Sequence, residues 1–248
     1  MTDTPQRLDL ALVARDLVKS RARAQSLIAE GRVSIDGAVI TKPTRKVTPE
    51  MELTVDMPDI NWVGRGAHKL IRALDHFRVD AEGRIAADIG ASTGGFTQVL
   101  LMRGAARIYA VDVGHGQLVP EIAEDRRVIN LEKTNARDLT VEQIPEPLDL
   151  IVADVSFISL RKALPAVLQL AAPGAHLLAL VKPQFEVGKG NVGKGGIVRD
   201  AGLADSVPVD LERWIETLPG WRSLGTTDSP IPGSDGNREF LTGARHDG

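Results

Sequence analysis

Asp88-Ile-Gly-Ala-Ser-Thr-Gly-Gly-Phe-Thr97 is the stretch that decides the fold of this 248-residue chain. The apolar run over 85–89 carries Asp88 and gives way to a turn rich in glycine, and a helical pattern follows. A strand, a tight turn and a helix are therefore expected. Comparable apolar runs recur over 108–111, 128–131, 148–153 and 177–181, with helical stretches between them. Strands alternating with helices predict an α/β, Rossmann-like domain with a parallel sheet covered on both faces. On such sheets, ligands bind beyond the carboxyl ends of the strands.

Polar groups collect at those five ends. The first run has Asp88 and the Gly90–Gly95 turn, the second ends at Asp112, and the third leads into Thr134-Asn135-Ala136-Arg137-Asp138. The fourth ends at Asp154 and the fifth at Lys182-Pro183. Glycine has no Cβ, so the turn lets backbone approach a ligand closely. Asp112 follows Gly90 by 22 residues, a spacing at which a carboxylate reaches a ribose hydroxyl. The turn lacks the second glycine of G-x-G-x-x-G, which disfavours a diphosphate. An adenosine-bearing ligand without one fits, and S-adenosylmethionine answers that description. The candidate cofactor residues are Asp88, Gly90, Ser92, Thr93, Gly94, Gly95, Phe96, Asp112, Val113, Asn135, Ala136 and Asp154. A near-match to a phosphate loop, Gly188-Lys-Gly-Asn-Val-Gly-Lys-Gly195, has glycine where a magnesium-holding Ser or Thr belongs. It reads better as a basic lid carrying Lys189 and Lys194. No metal site is assigned.

Composition removes other classes. The chain has no cysteine, which excludes disulfides, cysteine zinc sites and a thiol nucleophile. Its longest apolar region, 164–181, is broken by Gln169, Pro173, Gly174 and His176, so no membrane span is expected. The polar start shows no secretory pattern, and a cytoplasmic protein is the expectation. The net charge is −3, yet residues 15–46 hold eight bases against three acids. A basic face on an acidic protein points to an anionic partner for that segment.

That segment reads as a small α+β module over 1–57, followed by a connector, 58–64, containing Trp62, and a second domain over 65–248. A helix over 8–18 places Leu10, Val13, Ala14 and Leu17 on one face. Ser20 is a candidate N-cap for a helix that turns Ala24, Leu27 and Ile28 inward and stops at Gly31. Val33 and Ile35 alternate as in a strand, and Asp36-Gly37 signals a hairpin. The run Arg7-Leu-Asp9, Ser20-Arg-Ala-Arg-Ala-Gln25, Gly31-Arg-Val33 and Asp36-Gly37 resembles an S4 RNA-binding domain, which implies a structured RNA partner. Candidate RNA contacts are Arg7, Arg15, Lys19, Ser20, Arg21, Arg23 and Arg32, with Arg65, Lys189 and Lys194 from the second domain.

The chemistry narrows by elimination. Enzymes that methylate base nitrogen commonly carry Asn or Asp, then Pro-Pro and an aromatic, after the fourth strand. Here that place holds Asp154-Val155-Ser156-Phe157. Attack on base carbon needs the absent thiol. Oxygen methylation needs a base for a weakly acidic hydroxyl, and a lysine serves when its environment favours the neutral amine. Lys182 stands at a strand end. Lys69 and Asp154 can tune it, although the 65–78 helix turns Leu70, Ile71, Leu74 and Phe77 inward and Lys69 and Arg72 away. If the last strand runs antiparallel, Glu239 faces Lys182.

Arg65-Gly-Ala-His-Lys69-Leu, the Asp88–Thr97 turn, Asp112-Val-Gly, Thr134-Asn-Ala-Arg137, Asp154-Val-Ser-Phe-Ile-Ser-Leu160 and Val181-Lys-Pro-Gln-Phe-Glu-Val-Gly-Lys189 together resemble the TlyA family. These are S4-bearing, FtsJ-like ribosomal RNA methyltransferases historically labelled hemolysins. The resemblance implies a class I methyltransferase domain, S-adenosylmethionine as cofactor, and 2′-O-methylation of cytidine in the RNA of ribosomal subunits. It also implies a catalytic tetrad of Lys69, Asp154, Lys182 and Glu239. Two alternatives stay open: a ribosome-assembly factor without catalysis, and a membrane-lysing protein. The connector Ile60-Asn-Trp-Val-Gly64 departs from the family pattern, and the chain ends soon after Glu239.

Overall fold

The computed structural model describes residues 5–18, 20–56 and 61–248. The chain divides into two compact units, Met1–Asn61 and Trp62–Gly248. Of the expected connector, residues 58–60 lie outside the described residues. Trp62 packs on the core of the second unit, and the Val63 N–H donates to Gln98 Oε1 at 2.8 Å, so residues 62–64 go with that unit.

The first unit runs β1 (Gln6–Arg7), α1 (Leu8–Ala14), α2 (Arg21–Ala29), β2 (Val33–Ile35), β3 (Ala38–Val39), β4 (Lys46–Val47) and β5 (Leu53–Val55). Strands β3, β2 and β5 form one antiparallel sheet, and β1 pairs with β4. Ser20 caps α2, its Oγ accepting the Arg23 N–H at 3.3 Å. Asp36 and Gly37 turn the hairpin with φ of 49° and 81°, the left-handed pair such a turn needs. Ala24, Leu27 and Ile28 are buried as expected.

The buried face of α1 differs from the expected one. Leu8, Ala11 and Leu12 fill the core, while Leu10 is 37% exposed and Ala14 is exposed. Residues 8–18 are apolar on both helical faces, so periodicity alone does not choose between them. The helix starts right after β1, and that anchor sets which face meets α2. It also stops at Ala14, so Leu17 lies beyond it.

The second unit runs α3 (Gly66–Phe77), β6 (Ile85–Ile89), α4 (Gly95–Met102), β7 (Arg107–Val111), α5 (Pro120–Ala123), β8 (Val128–Leu131), β9 (Leu148–Ala153), α6 (Leu160–Ala163), α7 (Pro165–Leu168), β10 (Ala171–Val181), α8 (Pro183–Glu186), α9 (Ala201–Ile215), β11 (Trp221–Asp228) and β12 (Phe240–His246). They build a seven-stranded sheet in the order β11-β12-β10-β9-β6-β7-β8, parallel from β10 to β8, with β12 antiparallel to both neighbours. The architecture is the expected α/β one. Strand β10 begins before residue 177, running through Pro173-Gly174 with a register shift, and such residues obscure a strand in sequence. Strand β12 is paired with β11 over Phe240–His246 and with β10 over Phe240–Arg245.

The period of two along each strand sorts the core into two layers. Ala86, Ile108, Leu150, Val152, Leu178 and Leu180 face α3 and α4. Ala87, Ile89, Tyr109, Val111, Ile151 and Ala153 face α6, α7 and α9. The chain winds outward from β6 to β8 on one side, then returns to add β9 and β10 on the other. The ends of β6 and β9 are therefore a topological switch point, where such sheets open a ligand crevice.

The corrected face of α1 has a direct check. In chemical denaturation, Leu12→Ala is expected to destabilise the first unit by about 2–5 kcal/mol and Leu10→Ala by less than about 1 kcal/mol.

Candidate active site

Gly90 leaves β6 with φ +88°, and a Cβ there would lie 2.5 Å from the Asp154 carbonyl oxygen. Only glycine lets the turn after β6 pass the end of β9 this closely. Gly94 has φ +101°, and a Cβ would press on Leu118 and Ile122. The turn is thus held tight between β9 and the loop before α5. Asp112, at the end of β7, accepts the N–H groups of Ser92 at 2.8 Å and Gly114 at 2.7 Å. Its carboxylate is fixed by backbone and faces a cavity of about 460 Å³. Gly90, Ser92, Asp112, Val113, Asn135, Ala136, Asp154, Ser156 and Phe157 are among the lining residues. A smaller cavity shares Gly90, Ser92 and Asp154 with it and adds Arg65, Gly66, Thr93, Gly95 and Phe96. A nucleoside with a short polar tail matches two adjoining cavities of this kind. Of the twelve candidate cofactor residues, Asp88 and Gly94 line neither. Gly94 shapes the turn from behind.

Asp88 is fully buried under the turn. Burial pushes its carboxyl up to about 7; the Thr97 hydroxyl, donating at 2.7 Å, opposes this, and the charges of Asp154 and Asp112 add to it. Asp112 and Asp154 line the crevice, and Asp88 lies buried behind it. Such a site favours a cationic ligand, and the sulfonium of S-adenosylmethionine is one.

The two lysines arrive beside this crevice, each with a carboxylate. Lys182 Nζ stands 2.6 Å from Asp154 Oδ1 and donates to Ser156 Oγ at 2.9 Å. Lys69 Nζ donates to Glu239 Oε2 at 2.5 Å. Two expectations change here. Lys69 is buried, with only 10% of its side chain exposed, because the equally buried Glu239 holds it inside. Glu239 contacts Lys69 and not Lys182. The antiparallel register of β10 and β12 ends at Val181 opposite Phe240, which brings the chain at Glu239 alongside the chain at Lys182. Gly66, one turn before Lys69 on α3, lies against the Asp154 carboxylate, since a Cβ there would be 3.5 Å from Oδ2. The four residues thus come from one small region where α3, β9, β10 and β12 converge.

Several contributors were not legible in the sequence. Beyond the Asp154–Lys182 ion pair, the turn 154–160 docks on 182–186 through further contacts. Ser156 meets Lys182, the Phe157 ring meets Phe185 with centroids 5.3 Å apart, and Glu186 accepts from Ser159 Oγ at 2.6 Å and the Leu160 N–H at 2.7 Å. Phe157 is 92% exposed and has φ +67°, a strained conformation for a bulky residue and one that suits a functional rim. Asn237, itself buried, donates to the Gly196 carbonyl and accepts the Val198 N–H, tying the glycine-rich loop to the turn before Glu239. No α-helix opens at Lys194, which is exposed.

The candidate RNA residues fall into groups. Arg7 and Arg21 both bind the fully buried Asp9, Arg7 through two bonds of 2.9 Å and Arg21 at 3.0 Å, and Gln25 adds a third donor at 2.8 Å. The Arg7 guanidinium above all holds the Asp9 carboxyl well below the usual range. Both arginines stay partly exposed, at 33% and 54% of their side chains. Arg15 instead donates to the carbonyls of Met51 and Thr48, closing the unit. Arg32 pairs with Asp56, Ser20 caps α2, and Arg23 is half-buried beside it. Arg65 is exposed at the start of α3. Lys19 and the side chain of Lys189 lie outside the described residues.

Among the described residues, no helix is long and apolar enough to cross a membrane, and no cluster of three or more His, Asp or Glu could hold a metal ion. Residues 62–246 match the FtsJ-like methyltransferase family, and residues 6–53 match the S4 domain. The chain is 50% identical to the 16S/23S rRNA (cytidine-2′-O)-methyltransferase TlyA of Mycobacterium tuberculosis, covering 95% of this chain and 88% of that protein. It is 38% identical to Hemolysin A of Brachyspira hyodysenteriae, covering 95% and 98%. A solved hemolysin-named protein of Streptococcus thermophilus superposes with a TM-score of 0.74 at 36% identity, covering 99% of this chain and 90% of that one.

The neighbouring carboxylates predict a pH effect. Burial pushes the Asp88 carboxyl up to about 7, and a sulfonium bound in the crevice would favour its ionised form, so binding at lower pH would release a proton. The affinity for S-adenosylmethionine relative to its uncharged thioether product is therefore expected to rise as pH passes from 6 to 8. Titration calorimetry on the wild type and Asp88→Asn checks this, and the variant is expected to flatten the trend.

Proposed function

We propose that this chain, which belongs to the TlyA family of S4-bearing, FtsJ-like methyltransferases, methylates the ribose 2′-oxygen of cytidine in 16S ribosomal RNA, 23S ribosomal RNA or both. It is a methyltransferase, and S-adenosylmethionine is its cofactor. The observation that carries the finer reading is the convergence of two lysine–carboxylate pairs, Lys182–Asp154 and Lys69–Glu239, beside the Gly90–Gly95 turn.

S-adenosylmethionine supplies an electrophilic methyl group when bound, and a 2′-hydroxyl, a very weak acid, must lose its proton to receive it. Lys182, as the neutral amine, takes that proton onto Nζ. Asp154 at 2.6 Å holds the resulting ammonium. Lys69, anchored by Glu239, keeps a second positive charge in the same region, where it stabilises the negative charge building on the oxygen. Asp112, Asn135 and the glycine turn, which line the larger cavity, would hold the adenosine end, and Arg65, Thr93 and Gly95, which line the smaller one, would surround the polar tail. The residues of the second unit thus bind, orient and accept a proton.

The first unit grips folded RNA through Arg7, Arg21 and their basic neighbours, including Lys19, Arg23 and Arg32. In the second unit, Arg65 lines the smaller cavity and adds charge there, and Lys189 and Lys194 are further candidate RNA contacts. Only 12% of the Lys182 side chain is exposed, so the target nucleotide is expected to leave its stack to reach it. The exposed Phe157 ring at the rim offers a face for its base. A soluble, cytoplasmic enzyme acting on ribosomal subunits follows from this substrate.

Labelled methyl transfer to purified ribosomal subunits, followed by mass-spectrometric mapping of ribose methylation, tests the reading. The wild type is expected to label cytidine ribose. Lys182→Ala is expected to lose at least about 100-fold in rate while still binding the donor. Full activity in that variant would contradict the base assignment.

A further inference from the structure

An ammonium group has three N–H donors, and Lys182 commits one of them to Ser156 Oγ, 2.9 Å away. Its charge is paired with Asp154, whose Oδ1 lies 2.6 Å from Nζ. The ion pair sets where the nitrogen sits, and the hydrogen bond to Ser156 fixes the rotation of the amine about its last bond. A remaining direction is left for a substrate oxygen, and on the neutral amine the lone pair can stand there. Ser156 lines the larger cavity together with Asp154, so the pinned amine lies at the crevice itself.

The turn that carries Ser156 is built to hold it there. On one side of Ser156, Asp154 closes the end of β9. On the other, the Phe157–Phe185 ring contact and the two bonds to Glu186 clamp the turn onto the segment that begins with Lys182. Phe157 accepts a left-handed backbone within this turn. Ser156 therefore does not reach Lys182 by chance of a mobile loop; the clamp sets the distance.

We propose that Ser156 is a positioning residue for the methyl-transfer reaction. It accepts a hydrogen bond from Lys182 and, with Asp154, aims the free valence of the amine at the 2′-hydroxyl. This deepens the reading of Lys182 as the base and rests on it. The energetic contribution of one such bond corresponds to about a tenfold change in rate.

The test compares Ser156→Ala, Ser156→Thr and Lys182→Ala in the full-length protein with ribosomal subunits as substrate. In single-turnover methyl transfer, Ser156→Ala is expected to slow the step about tenfold, with donor and subunit affinities within about twofold of wild type. Ser156→Thr keeps the hydroxyl and is expected to recover most of the rate. A second readout needs no turnover. The Lys182 amine in the free protein, followed by peptide mass spectrometry during limited acetylation, is expected to label faster in Ser156→Ala, because one of its two restraints is gone. An unchanged rate in Ser156→Ala, with Lys182→Ala inactive, overturns the Ser156 assignment alone. So does a loss that follows donor affinity or unfolding, or one that threonine does not repair. Retained activity in Lys182→Ala overturns the base assignment and this inference with it.

Discussion

The amine of Lys182 and the carboxylate of Asp154 meet 2.6 Å apart at the ends of two neighbouring parallel strands, β10 and β9. Much of the second unit can be understood as what keeps them there. The parallel pairing sets both strand ends at one edge of the sheet. The absence of a side chain at Gly90 leaves room for the backbone at Asp154. The antiparallel β12 returns the chain to the same edge and brings Glu239 to Lys69. Two buried lysines without carboxylates would carry a large desolvation cost, and two carboxylates without lysines would add to the negative charge already set by Asp88 and Asp112. The pairs balance one another in charge while leaving the amines close to the ligand crevice.

A comparable arrangement organises the first unit. Asp9 is fully buried yet charged, and it is surrounded by Arg7, Arg21 and Gln25. Ion pairs of this kind are weak sources of stability compared with apolar packing. Their value here lies in order. One carboxylate holds two partly exposed guanidinium groups in place. The basic excess of residues 15–46 is thus only partly surface charge, because Arg15 and Arg32 are engaged within the unit.

Much of this was legible in the amino-acid sequence, for identifiable reasons. The β6 turn, Asp112 and the five parallel strands declare themselves because strand–turn–helix units have local patterns. The sequence pointed to Lys69, Asp154, Lys182 and Glu239 and set Asp154 beside Lys182, but it placed Glu239 against Lys182 rather than Lys69. Lys69 occupies a polar position of an otherwise amphipathic helix, and nothing local says that a carboxylate 170 residues later draws it inside. Ser156 and Asn237 act through partners distant in sequence, so neither has a motif of its own. The face of α1 was misread since both faces of 8–18 are apolar. Strand β10 was read short because Pro173-Gly174 interrupts it, and β11 escaped notice for lack of a clean alternation.

The claim at the centre is that one primary amine, that of Lys182, accepts the hydroxyl proton. The chain contains no cysteine, so Lys182→Cys introduces a unique thiol. Alkylating it with 2-bromoethylamine rebuilds a lysine side chain with sulfur in place of one methylene and a less basic amine. The decisive measurement is the pH–rate profile of methyl transfer for this protein before and after alkylation. The account predicts an inactive thiol form and an alkylated form that regains activity, with the acidic limb of its profile moved to lower pH relative to wild type. Full activity in the thiol form, or a restored rate whose acidic limb stays where the wild type has it, would contradict the account.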